Sequence, residues 1–186
     1  LLKAEMVSVS LMDKLEIYEG EGISVTHQYP NQPWKFPNDN SVPEDDNNLV
    51  SSALKLLKRQ VAVSINKKIP PGAGLGGGSS DAAAILRWAG HKDLISASKI
   101  GADVPFCIQG GRALVSGIGE KVKRVSHLEK DFTLLIPPFS CSTKAVFQHW
   151  DKLGGPKGDN GNDLEPAAVD LYPDLRKWRD LLGDST

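Results

Sequence analysis

The fold of this 186-residue chain is decided by one stretch, Pro70-Pro71-Gly72-Ala73-Gly74-Leu75-Gly76-Gly77-Gly78-Ser79-Ser80. Five of the seven residues from Gly72 to Gly78 are glycines, which let backbone amides approach an anion closely and permit positive φ angles. A strand is predicted directly before the stretch and an alanine-rich helix after it. Because the first turn of a helix presents unpaired N–H groups and the positive end of its dipole, this order predicts a cradle for the phosphates of a nucleotide.

Two well-known glycine motifs fit this stretch less well. A Walker A loop would end in Gly-Lys-Ser/Thr, and a dinucleotide-binding fingerprint would need an acidic residue at the end of the next strand. A flexible linker is the remaining alternative, but linkers do not usually lie between a clean strand and an alanine-rich helix. The hydroxyls of Ser79 and Ser80 can bond to phosphate oxygens or help to hold the Mg²⁺ that accompanies a nucleotide.

The segments on either side of the stretch predict a mixed α and β fold. Strands are predicted over 1–10, 14–19, 22–28, 61–67, 112–116 and 132–136. Helices are predicted over 48–59, 79–88, 93–100, 143–153 and 162–182, the last interrupted at Tyr172-Pro173. Gly20-Glu21-Gly22 predicts a hairpin turn, the polar stretch 30–48 predicts a loop, and Gly101 predicts a left-handed helix end.

Asp103 is a candidate general base. It follows the predicted helix end at Gly101 and precedes Pro105, so its backbone is expected to be held on a rigid turn. A carboxylate so placed can accept the proton of a substrate hydroxyl as phosphoryl transfer begins. Spacing alone favours a plainer interpretation, in which Asp103 only satisfies nearby backbone N–H groups.

The composition argues against several other classes of protein. The formal net charge is −1, from 22 Lys+Arg and 23 Asp+Glu, without the basic excess of a nucleic-acid binder. Cys107 and Cys141 are isolated and the four histidines are scattered, which does not fit a zinc site and indicates a reducing compartment. There is neither an apolar run of membrane-spanning length nor a secretory signal. We therefore expect a soluble cytoplasmic protein without a nucleic-acid or membrane partner.

The segment from Ile69 to Ala84 resembles the ATP loop of the GHMP kinases, the superfamily that includes galactokinase, homoserine kinase and mevalonate kinase. Its triple glycine, followed by Ser-Ser-Asp-Ala-Ala, is most similar to the branch that phosphorylates a cytidine diphosphate derivative of methylerythritol on the non-mevalonate route to isoprenoids. A second motif, 101–106, is similar to the segment that holds the catalytic Asp of the family. The resemblance extends over nearly the whole chain, with several motifs in the family's order.

This resemblance implies a set of functional residues and two cofactors, ATP and Mg²⁺, without assigning metal ligands. Asp103 is implied as the catalytic base and as a substrate contact, and Thr143 and Phe147 as further substrate contacts, with the Phe147 ring stacked on cytosine. Without the resemblance, Phe147 would be taken as a core residue of its helix. The implied nucleotide contacts are Asn48, Lys67, Pro70, Pro71, Gly72, Ala73, Gly74, Leu75, Gly76, Gly77, Gly78, Ser79 and Ser80.

The resemblance also implies the architecture. The expected fold class is α+β, with a ribosomal protein S5 domain 2-like ATP-binding domain over 1–136 and the start of a ferredoxin-like GHMP kinase C-terminal domain over 137–186, divided at Pro137-Pro138. Compared with the family, the chain is expected to be truncated at both ends: it lacks the first strands, the Gly-Tyr-His segment after them and a second glycine-rich segment near the C-terminus.

The sequence leaves two alternatives open. One is another GHMP small-molecule kinase, such as homoserine kinase. The other is a non-catalytic nucleotide-binding fragment. In either case a monomer or a weak homodimer is expected.

Overall fold

The computed structural model describes residues 2–28, 42–159 and 161–182. These residues form β1 (Leu2–Val7), β2 (Lys14–Tyr18), β3 (Gly22–His27), α1 (Leu49–Leu57), β4 (Ala62–Lys67), α2 (Gly77–Trp88), α3 (Leu94–Ser98), α4 (Val104–Gln109), β5 (Arg112–Gly117), β6 (Lys121–Arg124), α5 (Thr143–Lys152), α6 (Glu165–Leu171) and α7 (Leu175–Leu182). Contacts divide them into two units: 2–28, 42–71 and 75–130 form the first, and 72–74, 131–159 and 161–182 form the second.

The first unit contains a three-stranded sheet in which β4 lies between β2 and β3. β4 is antiparallel to β2 and parallel to β3. The chain does reverse at Gly20 and Gly22, which have φ angles of +123° and +99°, but the predicted hairpin is wrong because its two strands do not pair. β4 takes the central place because Val63 and Ile65 are almost fully buried, and a central strand covers such side chains best.

The second sheet of this unit is antiparallel, in the order β1-β5-β6. β1 pairs with β5 along its whole length, from Leu2 opposite Gly117 to Val7 opposite Arg112. A small core lies on this sheet, consisting of Phe106, Ala113 and Val115 with Met6, Cys107 and Val122 packed around them.

The main core of the first unit lies between helices α1 to α4 and the β2-β4-β3 sheet. Its fully buried members include Val50 and Ala53 of α1 and Ala82 and Ala83 of α2. The alanines of α2 let α1 approach closely, since small side chains reduce the distance between two packed helices. Asn48 fixes the start of α1, because its Oδ1 accepts a hydrogen bond from Val50 N at 2.9 Å.

Two predictions around the glycine-rich stretch were wrong, and one helix was missed. α2 begins at Gly77 rather than Ser79, since Ser80 N already donates to Gly76 O at 2.9 Å. Gly101 is not left-handed; instead, a β-carbon there would lie 3.4 Å from both Ser79 Oγ and Val104 Cγ2. A side chain at this position would thus meet its neighbours at ordinary van der Waals distance. The short helix α4 was not predicted.

The predicted strand over 132–136 was also wrong. Within the described residues this segment joins neither sheet, and Leu134 and Leu135 are exposed. Apolar and β-favouring residues give this segment only a local preference for the extended conformation, whereas a strand also needs a neighbour with which to pair.

The second unit is helical in the described part of the chain. Ser142 caps α5 by accepting a hydrogen bond from Ala145 N at 3.3 Å. His149 of α5 is 2.6 Å from Asp170 of α6. The predicted interruption at Tyr172-Pro173 is confirmed, because α6 ends at Leu171 and α7 begins at Leu175.

Residues 29–41, which make up most of the predicted polar loop, lie outside the described residues. Across the described ranges, the structure has no helix that is both long and apolar enough to cross a membrane.

Candidate phosphate-binding and catalytic site

The glycines of the loop between β4 and α2 have conformations that other residues rarely adopt. Gly72, Gly74 and Gly76 have φ angles of +71°, +72° and +65°. An L-residue with a side chain would be strained at each of these angles. The loop therefore needs glycine for its backbone path, as the composition of the stretch predicted.

The start of α2 leaves hydrogen-bond donors available. Its N-cap residue is Gly76, and within the described part of the chain no side chain caps the helix, so the amides of its first turn are available there to bind an anion. Ser80 Oγ donates to Gly77 O at 2.8 Å. Among the described residues, the Ser79 hydroxyl has no hydrogen-bond partner. Of the two serines, Ser79 is thus the one whose hydroxyl is not already used within the helix.

Gly77 is a glycine for a different reason. A β-carbon at Gly77 would lie 3.0 Å from Ile69 Cγ2 and 3.2 Å from Lys67 Nζ. At the next position, Gly78, the nearest atom would be Leu49 Cδ1 at an ordinary 3.7 Å. The first turn of α2 is therefore pressed against the end of β4 at Gly77 but not at Gly78.

An ion cluster lies beneath this contact. Lys67 Nζ donates to Asp81 Oδ2 at 2.7 Å and also to Asp13 Oδ2. The three side chains are 2%, 4% and 1% exposed, in the order Lys67, Asp81, Asp13. Asp13 Oδ1 further accepts hydrogen bonds from Lys68 N at 2.6 Å and Ile69 N at 2.8 Å. The cluster thus ties the entrance of the loop to its exit on α2.

Burial dominates the electrostatics of this cluster. It raises the pKa of Asp81 to about 7, against the opposing influence of the Lys67 ammonium. Two carboxylates share one ammonium here, and the second negative charge has little access to water. Burial of these charged groups is unfavourable by itself, and the fold maintains it at the junction of β4 and α2.

Sequence reasoning missed both aspartates. Asp81 directly follows Ser79-Ser80, so its place at the start of α2 was a signal that could have been used. Asp13 precedes β2, far from the loop along the chain, and only the register of β2 on β4 brings it to Lys67.

Asp103 lies next to the loop. Its Oδ2 is 3.7 Å from the point where a β-carbon on Gly76 would lie. Asp103 is the N-cap residue of α4, yet its side chain makes no capping hydrogen bond, contrary to the plainer interpretation. Burial raises the pKa of its carboxyl above the ordinary value. A half-buried carboxylate that is not engaged by the backbone, beside a phosphate loop, can act as a base.

Two predicted nucleotide contacts are already occupied within the fold. Asn48 is 6% exposed; it caps α1, and its Nδ2 donates to Pro43 O at 2.7 Å. Lys67 is held by Asp13 and Asp81. The contacts that the structure shows for Asn48 and Lys67 stabilise the fold around the loop. Direct contacts of these two residues with a nucleotide remain predictions.

Thr143 and Phe147 lie one turn apart on α5, in the second unit. Both are exposed, and Phe147 shows 43% of its surface to solvent. The buried residue of this helix is Val146 instead. Phe147 is therefore not a core residue, and its ring is available for stacking.

A cleft of about 460 Å³ opens between the end of β1, α2 and α4. Leu75 and Ser80 of the loop region contribute to its wall, together with Cys107. Burial raises the pKa of the Cys107 thiol to about 11, so this cysteine is unreactive near neutral pH. Asp103 does not line this cleft. We therefore assign no substrate to the cleft.

Comparisons with known proteins identify relatives of this chain. The family described as GHMP kinases N terminal domain matches residues 48–111, which include the loop, the cluster residues Lys67 and Asp81, and Asp103. The 4-diphosphocytidyl-2-C-methyl-D-erythritol kinase of Clostridium acetobutylicum is 37% identical over 185 residues, covering 90% of this chain and 62% of the relative. That of Carboxydothermus hydrogenoformans is 36% identical over 214 residues, covering 95% of this chain and 71% of the relative.

A solved structure is also similar. The crystal structure of a 4-(cytidine 5'-diphospho)-2C-methyl-D-erythritol kinase matches with a TM-score of 0.54 and 25% identity, over 92% of this chain and 69% of that one. The α+β fold and the loop beside Asp103 thus define a GHMP kinase. More narrowly, the chain belongs to the 4-diphosphocytidyl-2-C-methyl-D-erythritol kinase family. It spans 62% and 53% of the length of two of the relatives it matches.

Proposed function

We propose that this protein transfers the γ-phosphoryl group of ATP to the 2-hydroxyl of 4-diphosphocytidyl-2-C-methyl-D-erythritol, in the methylerythritol phosphate route to isoprenoids. The single observation that carries the proposal is the position of the Asp103 carboxylate against Gly76 of the phosphate-binding loop. The family to which the chain belongs supports the choice of substrate.

Phosphate binding is the task of the loop. Positive φ angles at Gly72, Gly74 and Gly76 turn the backbone so that its amides can surround an anion. The uncapped first turn of α2 adds N–H donors and a positive dipole end. Such preorganised donors stabilise the charge that spreads over the transferred phosphoryl oxygens.

Asp103 accepts the proton of the acceptor hydroxyl. As the substrate oxygen forms its bond to the γ-phosphorus, the bond from that phosphorus to the bridging oxygen breaks and ADP leaves. The hydroxyl proton passes to Asp103 Oδ. The raised pKa of this carboxyl brings its basicity closer to working pH.

The residues present fit ATP with Mg²⁺. Phosphate oxygens supply most of the ligands of a nucleotide-bound Mg²⁺, and the hydroxyls at the start of α2 are oxygen donors that the loop offers in addition. When bound, the ion neutralises charge on the β- and γ-phosphates. In the described residues no three His, Cys, Asp or Glu side chains are grouped as a cation site.

The second unit supplies the specificity in this proposal. Phe147 stacks on the cytosine ring and Thr143, one turn earlier on α5, contacts the substrate; both are exposed as this requires. We assign 1–136 to an S5 domain 2-like ATP-binding domain and 137–186 to the start of a ferredoxin-like domain. The protein acts in the cytoplasm as a monomer or a weak homodimer.

The direct test is an assay of ADP release and ³¹P NMR of the product with ATP, Mg²⁺ and the cytidine substrate. We expect a new phosphomonoester signal that is absent from the Asp103→Asn variant. Galactose, homoserine and mevalonate serve as competing acceptors. Turnover only with one of these would replace the substrate in the proposal. ATP binding by calorimetry without any turnover would favour a non-catalytic nucleotide-binding protein.

A further inference from the structure

The position of Asp103 is not explained by its own side chain. Its carboxylate makes no capping hydrogen bond to α4, and among the described residues it has no other hydrogen-bond partner. What holds the group beside Gly76 must therefore act on the backbone of the 101–103 segment.

One side of that segment rests on the helices. A β-carbon at Gly101 would lie 3.4 Å from Ser79 Oγ and 3.8 Å from Leu49 Cδ1. The space on this side would hold about one methyl group, so α2 and α1 leave the segment little room to move toward them.

The other side rests on the turn between β5 and β6. A β-carbon at Gly119 would lie 2.7 Å from Ala102 C and closer still to Ala102 O. No side chain fits between these two backbones, so the Cα of Gly119 touches the peptide that immediately precedes Asp103. Gly119 is buried and has a φ angle of +105°.

This turn is itself braced. Glu120 Oε2 accepts a hydrogen bond from Ile118 N at 2.7 Å, and Gly119 N donates to Ser116 O at 3.3 Å. The turn is thus a stiff support rather than a loose loop.

We propose that the 117–120 turn positions the catalytic carboxylate, with Gly119 as the contact and Glu120 as its brace. This inference rests on the proposed function of Asp103 as base. Gly119 touches neither substrate nor nucleotide in this scheme; it sets where the Asp103 carboxylate stands with respect to the phosphate-binding loop.

The test compares Gly119→Ala with Gly90→Ala. Gly90 also has a positive φ angle, +71°, but a β-carbon there has no atom within 4 Å. Both variants place an alanine at a positive φ angle, and only Gly119→Ala adds the collision with Ala102. We expect Gly119→Ala to lower kcat at least tenfold with the KM for ATP within about twofold, and Gly90→Ala to keep both. Equal kcat in the two variants would overturn the proposal, as would equal losses of kcat and ATP affinity in Gly119→Ala.

Variants of Glu120 keep the proposal testable if Gly119→Ala does not fold. Glu120→Ala removes the bond to Ile118 N and should lower kcat, while Glu120→Gln retains an acceptor and should restore most of it. Wild-type kcat in Glu120→Ala would contradict the bracing role.

A readout independent of turnover separates this inference from the proposed function. The ¹³C shift of the Asp103 carboxyl, followed with pH, should show a raised pKa in the wild type that moves back toward the ordinary value in Gly119→Ala. An unchanged titration in Gly119→Ala sinks the positioning role. A wild type that titrates in this way but phosphorylates none of the acceptors sinks the proposed function alone.

Discussion

The Lys67 ammonium and the Asp81 carboxylate lie 2.7 Å apart, nearly fully buried, at the two ends of the phosphate-binding loop. Lys67 ends β4 and Asp81 lies in the first half of α2. Their ion pair, with Asp13 as third member, closes the base of the loop. Buried charges therefore hold the end of β4 against the first half of α2.

Removal of the central cation should destabilise the fold strongly. Lys67→Met leaves the carboxylates of Asp13 and Asp81 buried without a partner, a change that typically costs about 3–5 kcal/mol. Urea denaturation should show this loss. Lys14→Met is the control, since the pair of Lys14 with Glu16 is exposed and should contribute little. Similar midpoints for the two variants would show that the buried cluster is not important for stability.

Two adjacent glycines should respond differently to the same change. Gly77→Ala forces a contact of 3.0 Å with Ile69 and should cost about 1–3 kcal/mol, as overpacking does, with a higher KM for ATP. Gly78→Ala meets ordinary contacts and lies within α2, where alanine is favoured over glycine by up to about 1 kcal/mol. Thermal denaturation and ATP titration of both variants check this, and a stable Gly77→Ala with normal ATP affinity would refute it.

Asp103→Asn should abolish turnover while it stabilises the protein at neutral pH. The folded pKa of this carboxyl is raised above 3.8 by burial, so the fold disfavours the ionised form. That cost is present above the folded pKa and disappears below the unfolded one. The stability advantage of the Asn variant should therefore shrink as pH falls toward about 4. A variant less stable than wild type at neutral pH would contradict this account of the carboxyl.

The parts of the fold that could be predicted depend on local sequence. Asn48 at a helix start and the glycines before α2 encode their conformation through caps and φ angles. The place of β4 between β2 and β3 could not be predicted in this way, because register depends on pairing between distant segments. Asp13 was missed for the same reason, since it joins the site only through that pairing.

The candidate site shows the same division. The spacing around Asp103 favoured a simple backbone contact, and resemblance to a family was needed to propose that this residue acts as a base. The left-handed conformation predicted for Gly101 was wrong, because the position of this residue beside Ser79 depends on tertiary contacts that the local sequence does not contain. Local signals thus identified the loop, while tertiary packing placed the Asp103 carboxylate beside Gly76.

The pH dependence of kcat/KM should report the titration of Asp103. The deprotonated carboxylate is the active form, so activity should rise with pH through its pKa and level off above it. Because burial raises that pKa, the half-maximal point on the acidic side should lie above 3.8. Initial rates at substrate concentrations well below KM, measured as a function of pH, give kcat/KM and check this. If the acidic side of the kcat/KM profile gives a pKa at or below the ordinary value of an Asp, another group limits the rate.

The role of Phe147 can be tested by a single change. Its exposed ring on α5 should bind the cytosine of the substrate by stacking, which contributes about 1–3 kcal/mol per base. Phe147→Ala should therefore raise the KM for the cytidine substrate by roughly 5- to 150-fold and leave the KM for ATP unchanged. Gln148→Ala, an exposed neighbour on the same helix, is the matched control. If Phe147→Ala and Gln148→Ala both keep the wild-type KM, the cytosine ring does not bind to Phe147. If Phe147→Ala loses affinity and Phe147→Tyr retains it, the aromatic face is the part of the side chain that binds.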